Sequence, residues 1–130
     1  PVEQLRGIVE AFRRGGGAGK PLYLQVKLAY GPSDEAARRA AYEQWRTNIF
    51  SSAVLATLRT VPEFEAAAAL VRPEDMDRFV RISADLGRHR AWLEEYLELG
   101  FETLFLHNVG REQRPFIEAF GAEVLPALRG

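Results

Sequence analysis

The stretch PLYLQVKLAY, residues 21–30, decides the fold class. Leu22, Leu24, Val26 and Leu28 alternate with Tyr23, Gln25, Lys27 and Ala29, which is the period-two signature of a β-strand. Both faces are largely apolar at its start, as for a strand covered by helices on one side and a core on the other. Gly31-Pro32 stops the strand. Ser33 is placed to cap a helix, with Asp34 and Glu35 complementing the positive end of its dipole. That helix is expected to reach about Ile49, with Tyr42, Trp45 and Ile49 as its apolar stripe.

Upstream, EQLRGIVEAFR (3–13) puts Leu5, Ile8, Val9 and Phe12 on one helical face. RRGGGAGK (13–20) ends that helix, because glycine readily takes the left-handed conformation of a helix exit. Its last residues resemble a phosphate-binding loop, but Arg14 stands where the first glycine is required and Pro21 where Ser or Thr is required. The strand also follows the loop instead of preceding it, so the stretch reads as a helix-to-strand connection.

Downstream, residues 50–86 read as short helical pieces. Thr60 and Glu63 form a capping box, and Pro73, Glu74 and Asp75 open a helical piece expected to run through Ile82. Trp92, Leu93, Tyr96, Leu97 and Leu99 make one more amphipathic helix, ended by Gly100, with His89 expected on its solvated face. FETLFLH (101–107) is the second strand. It runs into His107-Asn108 and is followed by a helix from about Glu112 that turns Phe116, Ile117, Phe120, Val124 and Leu128 inward. Two strands joined by a helical crossover are expected to be adjacent and parallel. Two strands alone are a poor sheet, so Leu24, Val26, Leu28, Leu104 and Leu106 are expected to leave an apolar surface open to water.

Composition narrows the function classes. The chain has 130 residues, 47% of them hydrophobic, a size that suits one domain and is too short for an eight-stranded α/β barrel of roughly 250 residues. It begins at Pro1 without an initiator methionine and reads as a fragment. A net charge of −1 with interspersed signs argues against a nucleic-acid surface. No cysteine is present, which excludes disulfides and thiolate chemistry, and two histidines make a histidine-rich metal site a poor expectation. No apolar run approaches the ~20 residues of a membrane span, so the default expectation is a soluble cytoplasmic protein.

LQVKLAYGPSDEAARRAAYEQWR, RISADLGRHRAWLEEYLELGFETLFLHNVG and EQRPFIEAFGAEVLPALR together resemble the carboxyl-terminal part of luciferase-like flavin or deazaflavin oxidoreductases. Within that superfamily the likeness is to the branch containing deazaflavin-dependent glucose-6-phosphate dehydrogenases. It covers the chain from about Lys20, and its most specific part is His107, Gly110 and Gln113 leading into the last helix. The resemblance implies an α/β fold, the carboxyl-terminal segment of a (β/α)8 TIM barrel with Leu22–Tyr30 and Glu102–His107 as seventh and eighth strands. Residues 1–130 would then be a single partial barrel domain.

The implied parent is a flavoprotein-type oxidoreductase or monooxygenase acting with F-420-type deazaflavin or FMN on an organic small molecule. The family's catalytic residues lie in the amino-terminal half, so none carries over, and no metal site is implied. The chain itself is expected to bind no cofactor and to be inactive. It is expected to form a homo-oligomer or to associate with the missing half.

In such barrels function gathers at the carboxyl ends of strands. Tyr30, Gly31, His107 and Asn108 sit at those ends and are the candidate cofactor- or substrate-facing residues, with Lys27 as a candidate for an anionic ligand. The structural alternatives are a loop-bonding His107, a helix-capping Asn108 and a Lys27 snorkelling outward between helices. Arg72, Arg78 and Arg81 resemble the family's sugar-phosphate cations, but Phe79 stands where the key arginine is expected. Rival classes are an aldolase or isomerase barrel and a non-catalytic, self-associating interaction module.

Overall fold

The computed structural model describes residues 2–129. Helix α1 (Val2–Phe12) leads through the glycine-rich turn, where Gly16 and Gly19 hold φ of 99° and 74°, into β1 (Tyr23–Tyr30). Helix α2 (Asp34–Trp45) follows, capped by the Ser33 side chain accepting from the Ala36 N–H at 3.1 Å. Two short helices come next, α3 (Ser52–Leu55) and α4 (Val61–Ala68). The Thr60–Glu63 capping box closes with both of its halves present at the start of α4.

A tight 3₁₀ turn (Pro73–Arg78) leads to β2 (Arg81–Ser83), then α5 (Leu86–Glu98) and β3 (Thr103–Asn108). The chain closes with α6 (Gln113–Ala119), a widened turn over Phe120–Val124, and α7 (Leu125–Arg129). Among the described residues, no helix is long and apolar enough to cross a membrane.

β1 and β3 are adjacent and parallel, with Tyr23 opposite Thr103 and Leu28 opposite Asn108. The sheet has three strands, however, not two. β2 pairs in parallel with the far edge of β1, matching Leu28 to Arg81 and Tyr30 to Ser83, so the order is β2-β1-β3. The expected helix through Ile82 therefore stops at Arg78. Beyond it Val80 and Ile82 are both buried, at the two-residue spacing of a strand. Three residues are too few for that alternation to show above the helical signal of Pro73 and its acids.

The two faces of the sheet are dressed differently. Val26 and Leu28 pack beneath Leu93 and Tyr96 of α5 and beneath Phe116, Phe120 and Val124, with Leu24, Leu104 and Leu106 around them. The five residues expected to face water are thus the floor of the main core. Ala29, Ile82 and Val109 meet Ala37 and Ala41 of α2 on the opposite face, above Val71, Met76 and Val80. Small residues let α2 sit close: a side chain at Gly31 would bring its Cβ to 3.1 Å from the Ala37 nitrogen. The uncovered surface lies below α2, where Tyr23 is 60% and Phe105 58% exposed with their rings edge to face at 6.4 Å.

Two further expectations are corrected. Ile117 is 61% exposed, because the inward stripe of the last helix runs Phe116, Phe120, Val124 and leaves Ile117 on the opposite side. His89 is 1% exposed, because it shares one stripe of α5 with Leu93 and Tyr96 at i, i+4 and i+7.

Candidate functional site

The loop after β1 leads to α2 on one face of the sheet, and the loop after β3 leads to α6 on the other. Neighbouring parallel strands whose exits diverge in this way leave a crevice beyond their carboxyl ends, the general position for a ligand in an open α/β sheet. A cavity of about 510 Å³ occupies that position, lined in part by Tyr30, Gly31, Asn108, Gly110 and Arg111. A Cβ at Gly110 would reach the Ala40 methyl at 3.4 Å, so the loop after β3 passes close to α2 there.

The cavity brings together three of the five candidate residues. Asn108 is buried between the two strand ends. Its Oδ1 accepts from the Tyr30 N–H and its Nδ2 donates to the Glu112 carbonyl, each at 3.3 Å. Gln113 donates from Nε2 to the carbonyls of Asn108 and Gly110 at 3.0 and 2.5 Å. Residues 108–113 are thereby held as a tied loop, and Asn108 positions both cavity walls. Tyr30 stands on Phe120, ring centres 5.9 Å apart.

Lys27 and His107 lie outside the cavity. They are register partners on the α2 side of the sheet, where the His107 ring meets Trp45 edge to face at 5.0 Å and the Lys27 ammonium lies 5.7 Å from the Trp45 ring centre. His107 Nδ1 is buried without a hydrogen-bond partner. Such an atom is costly and marks a place where a ligand group or water is wanted. Lys27 also borders a second cavity of about 770 Å³ along the part of β1 that β2 does not reach. Among the described residues, no group of three carboxylate or imidazole side chains is placed to hold a metal ion.

Two polar residues, Asp34 and His89, make contacts that the sequence reading did not assign to them. Asp34 accepts the Ala84 N–H at 2.7 Å and the Ser83 hydroxyl at 3.3 Å, pinning the end of β2 to the start of α2. The Ala84 N–H, with Ser83 behind it, holds the Asp34 carboxyl below its ordinary range. His89 Nε2 lies 2.9 Å from the Ser83 carbonyl, so that nitrogen carries the proton. The ring is walled by Tyr30, Trp92 and Phe120.

Burial pushes the His89 pKa down. The Ser83 carbonyl, Asp85 and Asp34 oppose this, and Arg88 adds to it. As pH falls through the ordinary histidine range, the unfolded chain therefore takes up this proton before the folded chain does. Stability should be full above about pH 7.5 and decline toward about pH 5.5. Urea midpoints across that window check this, and His89→Gln, which keeps a donor for Ser83, should flatten the decline.

No family model matches the chain. Curated proteins do match it. An F420-dependent glucose-6-phosphate dehydrogenase of Intrasporangium calvum is 34% identical over 68 residues, 52% of this chain and 20% of that protein. One of Beutenbergia cavernae is 29% identical over 109 residues, 83% of this chain and 32% of that protein. F420-dependent glucose-6-phosphate dehydrogenase 2 of Rhodococcus jostii is 26% identical over 106 residues, 82% of this chain and 31% of that protein.

The chain is similar to the carboxyl-terminal part of F420-dependent glucose-6-phosphate dehydrogenases. It spans 20% to 32% of the length of these dehydrogenases. A match over 109 of the 130 residues leaves 21 outside it, so the Beutenbergia dehydrogenase aligns across both long strands.

Proposed function

We propose that this chain is the carboxyl-terminal part of a luciferase-like barrel oxidoreductase that exchanges a hydride between an F420-type deazaflavin and an organic substrate. The observation that carries the proposal is the shared name of the curated relatives, each an F420-dependent dehydrogenase. Their names favour deazaflavin over FMN and suggest a sugar phosphate as substrate. Phe79, at the position expected for the family's phosphate-binding arginine, argues for a different organic substrate.

In this reading β1 and β3 are the seventh and eighth strands, and the Tyr23–Lys27 and Phe105–His107 face turns toward the barrel axis. Barrel helices ring the outside, so closure requires α2 to leave that face.

The strand-end cavity fits part of such a cofactor. Its size lies in the ~300–1,000 Å³ range of ligand sites, and Tyr30, Gly31 and Pro32 give it a wall for a planar ring. The bound cofactor supplies the hydride chemistry. Tyr30 and Gly31 would orient the ring, and Asn108 would hold the two walls at a fixed separation. His107 Nδ1 would bond a ligand group from the sheet face, and Lys27 would offer its charge to an anionic group.

His107→Phe in the whole protein tests this, because it keeps the ring against Trp45 and deletes both nitrogens. The expected result is a roughly 3- to 10-fold rise in KM or in the cofactor Kd, the worth of one hydrogen bond, with Tm unchanged. A fall in Tm with KM unchanged would assign His107 a structural role.

A further inference from the structure

We infer that His89 is a positioning residue for the strand-end site: its neutral ring clamps the last rung of the β1–β2 ladder and so fixes Tyr30 against the cavity. The inference rests on the proposed function above and adds a regulation to it, since the site loosens when the ring gains a proton. Tyr30 and Ser83 are register partners at the end of that ladder, one residue before the crevice begins at Gly31. His89 holds both of them. Its Nε2–H donates to the Ser83 carbonyl at 2.9 Å, and its ring lies against Tyr30 with centres 6.3 Å apart. Ser83 is itself buried, and its hydroxyl donates to Asp34 at 3.3 Å and accepts from the Asp85 N–H at 3.0 Å. Because that hydroxyl is turned to Asp34 and not to His89, the three side chains form a brace and not an activated nucleophile.

The surroundings favour the neutral ring. Trp92, 5.3 Å from it, already carries the Arg81 and Arg88 guanidiniums at 5.3 and 5.1 Å, so an imidazolium would be a third cation around one indole. Phe120 closes another side, while Glu123, the charged residue of its turn, is exposed. The nearest carboxylates are engaged elsewhere, Asp85 with the Gly87 and Arg88 N–H groups and Asp34 with Ala84 and Ser83. Burial pushes the pKa down, and the Ser83 carbonyl, Asp85 and Asp34 oppose this only in part. A proton taken up here therefore draws the ring toward water and away from Tyr30 and Ser83.

NMR of the 130-residue chain between about pH 8 and pH 5.5 follows the two imidazoles separately. The Gly31 amide should shift, and the Tyr30–Phe120 ring contact should weaken, along the His89 titration curve; His89→Gln should abolish both steps. Signals that stay still, or that follow His107 instead, would overturn the inference, and the wild type alone decides this if the variant does not fold. In the whole protein the deazaflavin Kd should rise roughly 3- to 10-fold from about pH 7.5 to 5.5, with the rise lost in His89→Gln. Any ionisation of the ligand is common to both proteins, so an equal rise in both would overturn the inference. If neither protein binds deazaflavin, the proposed function fails, and the Tyr30–Phe120 titration still decides whether His89 holds Tyr30 in place.

Discussion

Phe120→Ala is expected to lower the melting temperature by about 10–20 °C. Phe120 is 2% exposed and holds Phe116, His89 and Tyr30 at ring separations of 4.6, 5.1 and 5.9 Å. Truncating a buried phenylalanine costs about 3–5 kcal/mol, from lost transfer energy and from the cavity left behind. A domain of this size has only about 5–15 kcal/mol in total, and each kcal/mol shifts Tm by several degrees. Ile117→Ala, three residues away and exposed to solvent, should cost no more than about 0.5 kcal/mol. Thermal melts of the two variants side by side check the contrast. Similar melting points would mean that the core does not close over the sheet at Phe120. The same substitution removes the ring on which Tyr30 stands, so the strand-end cavity should lose its shape along with the stability.

The long strands and most helix starts were legible because each rests on local chemistry. β1 alternates over eight residues, Ser33 and Thr60 cap with their own side chains, and the glycines of residues 15–19 end a helix. What escaped depends on contacts distant in sequence. β2 exists because Leu28–Tyr30 offers it an edge and because Asp34 ties down Ala84 across 50 positions. Which face of β1 is covered cannot be read from its alternation, since both faces are apolar. The arrival of α5 and Phe120 on one side and the alanines of α2 on the other decides it.

His89 was within reach. Its spacing to Leu93 and Tyr96 is the helical stripe, and only the assumption that a lone histidine belongs in water placed it outside. The sequence suggested strand-end residues as one group. The fold divides them, with Tyr30, Gly31 and Asn108 at the crevice and His107 beneath Trp45, beside the mid-strand Lys27.

The 130-residue chain alone is expected to show no deazaflavin-dependent turnover and weak cofactor binding at best. A barrel site draws its reacting groups from the ends of several strands, and preorganisation of those groups is the largest catalytic contribution. This chain brings two long strand ends, the cavity beyond them, and a histidine with an unsatisfied nitrogen. The most direct measurement is deazaflavin reduction by the 130-residue chain in parallel with the product of its whole reading frame, using glucose-6-phosphate and other small organic alcohols as substrates. The account predicts turnover by the whole product and none by the chain alone. Substantial turnover by the isolated chain, or none by the whole product with any deazaflavin or flavin, would contradict it.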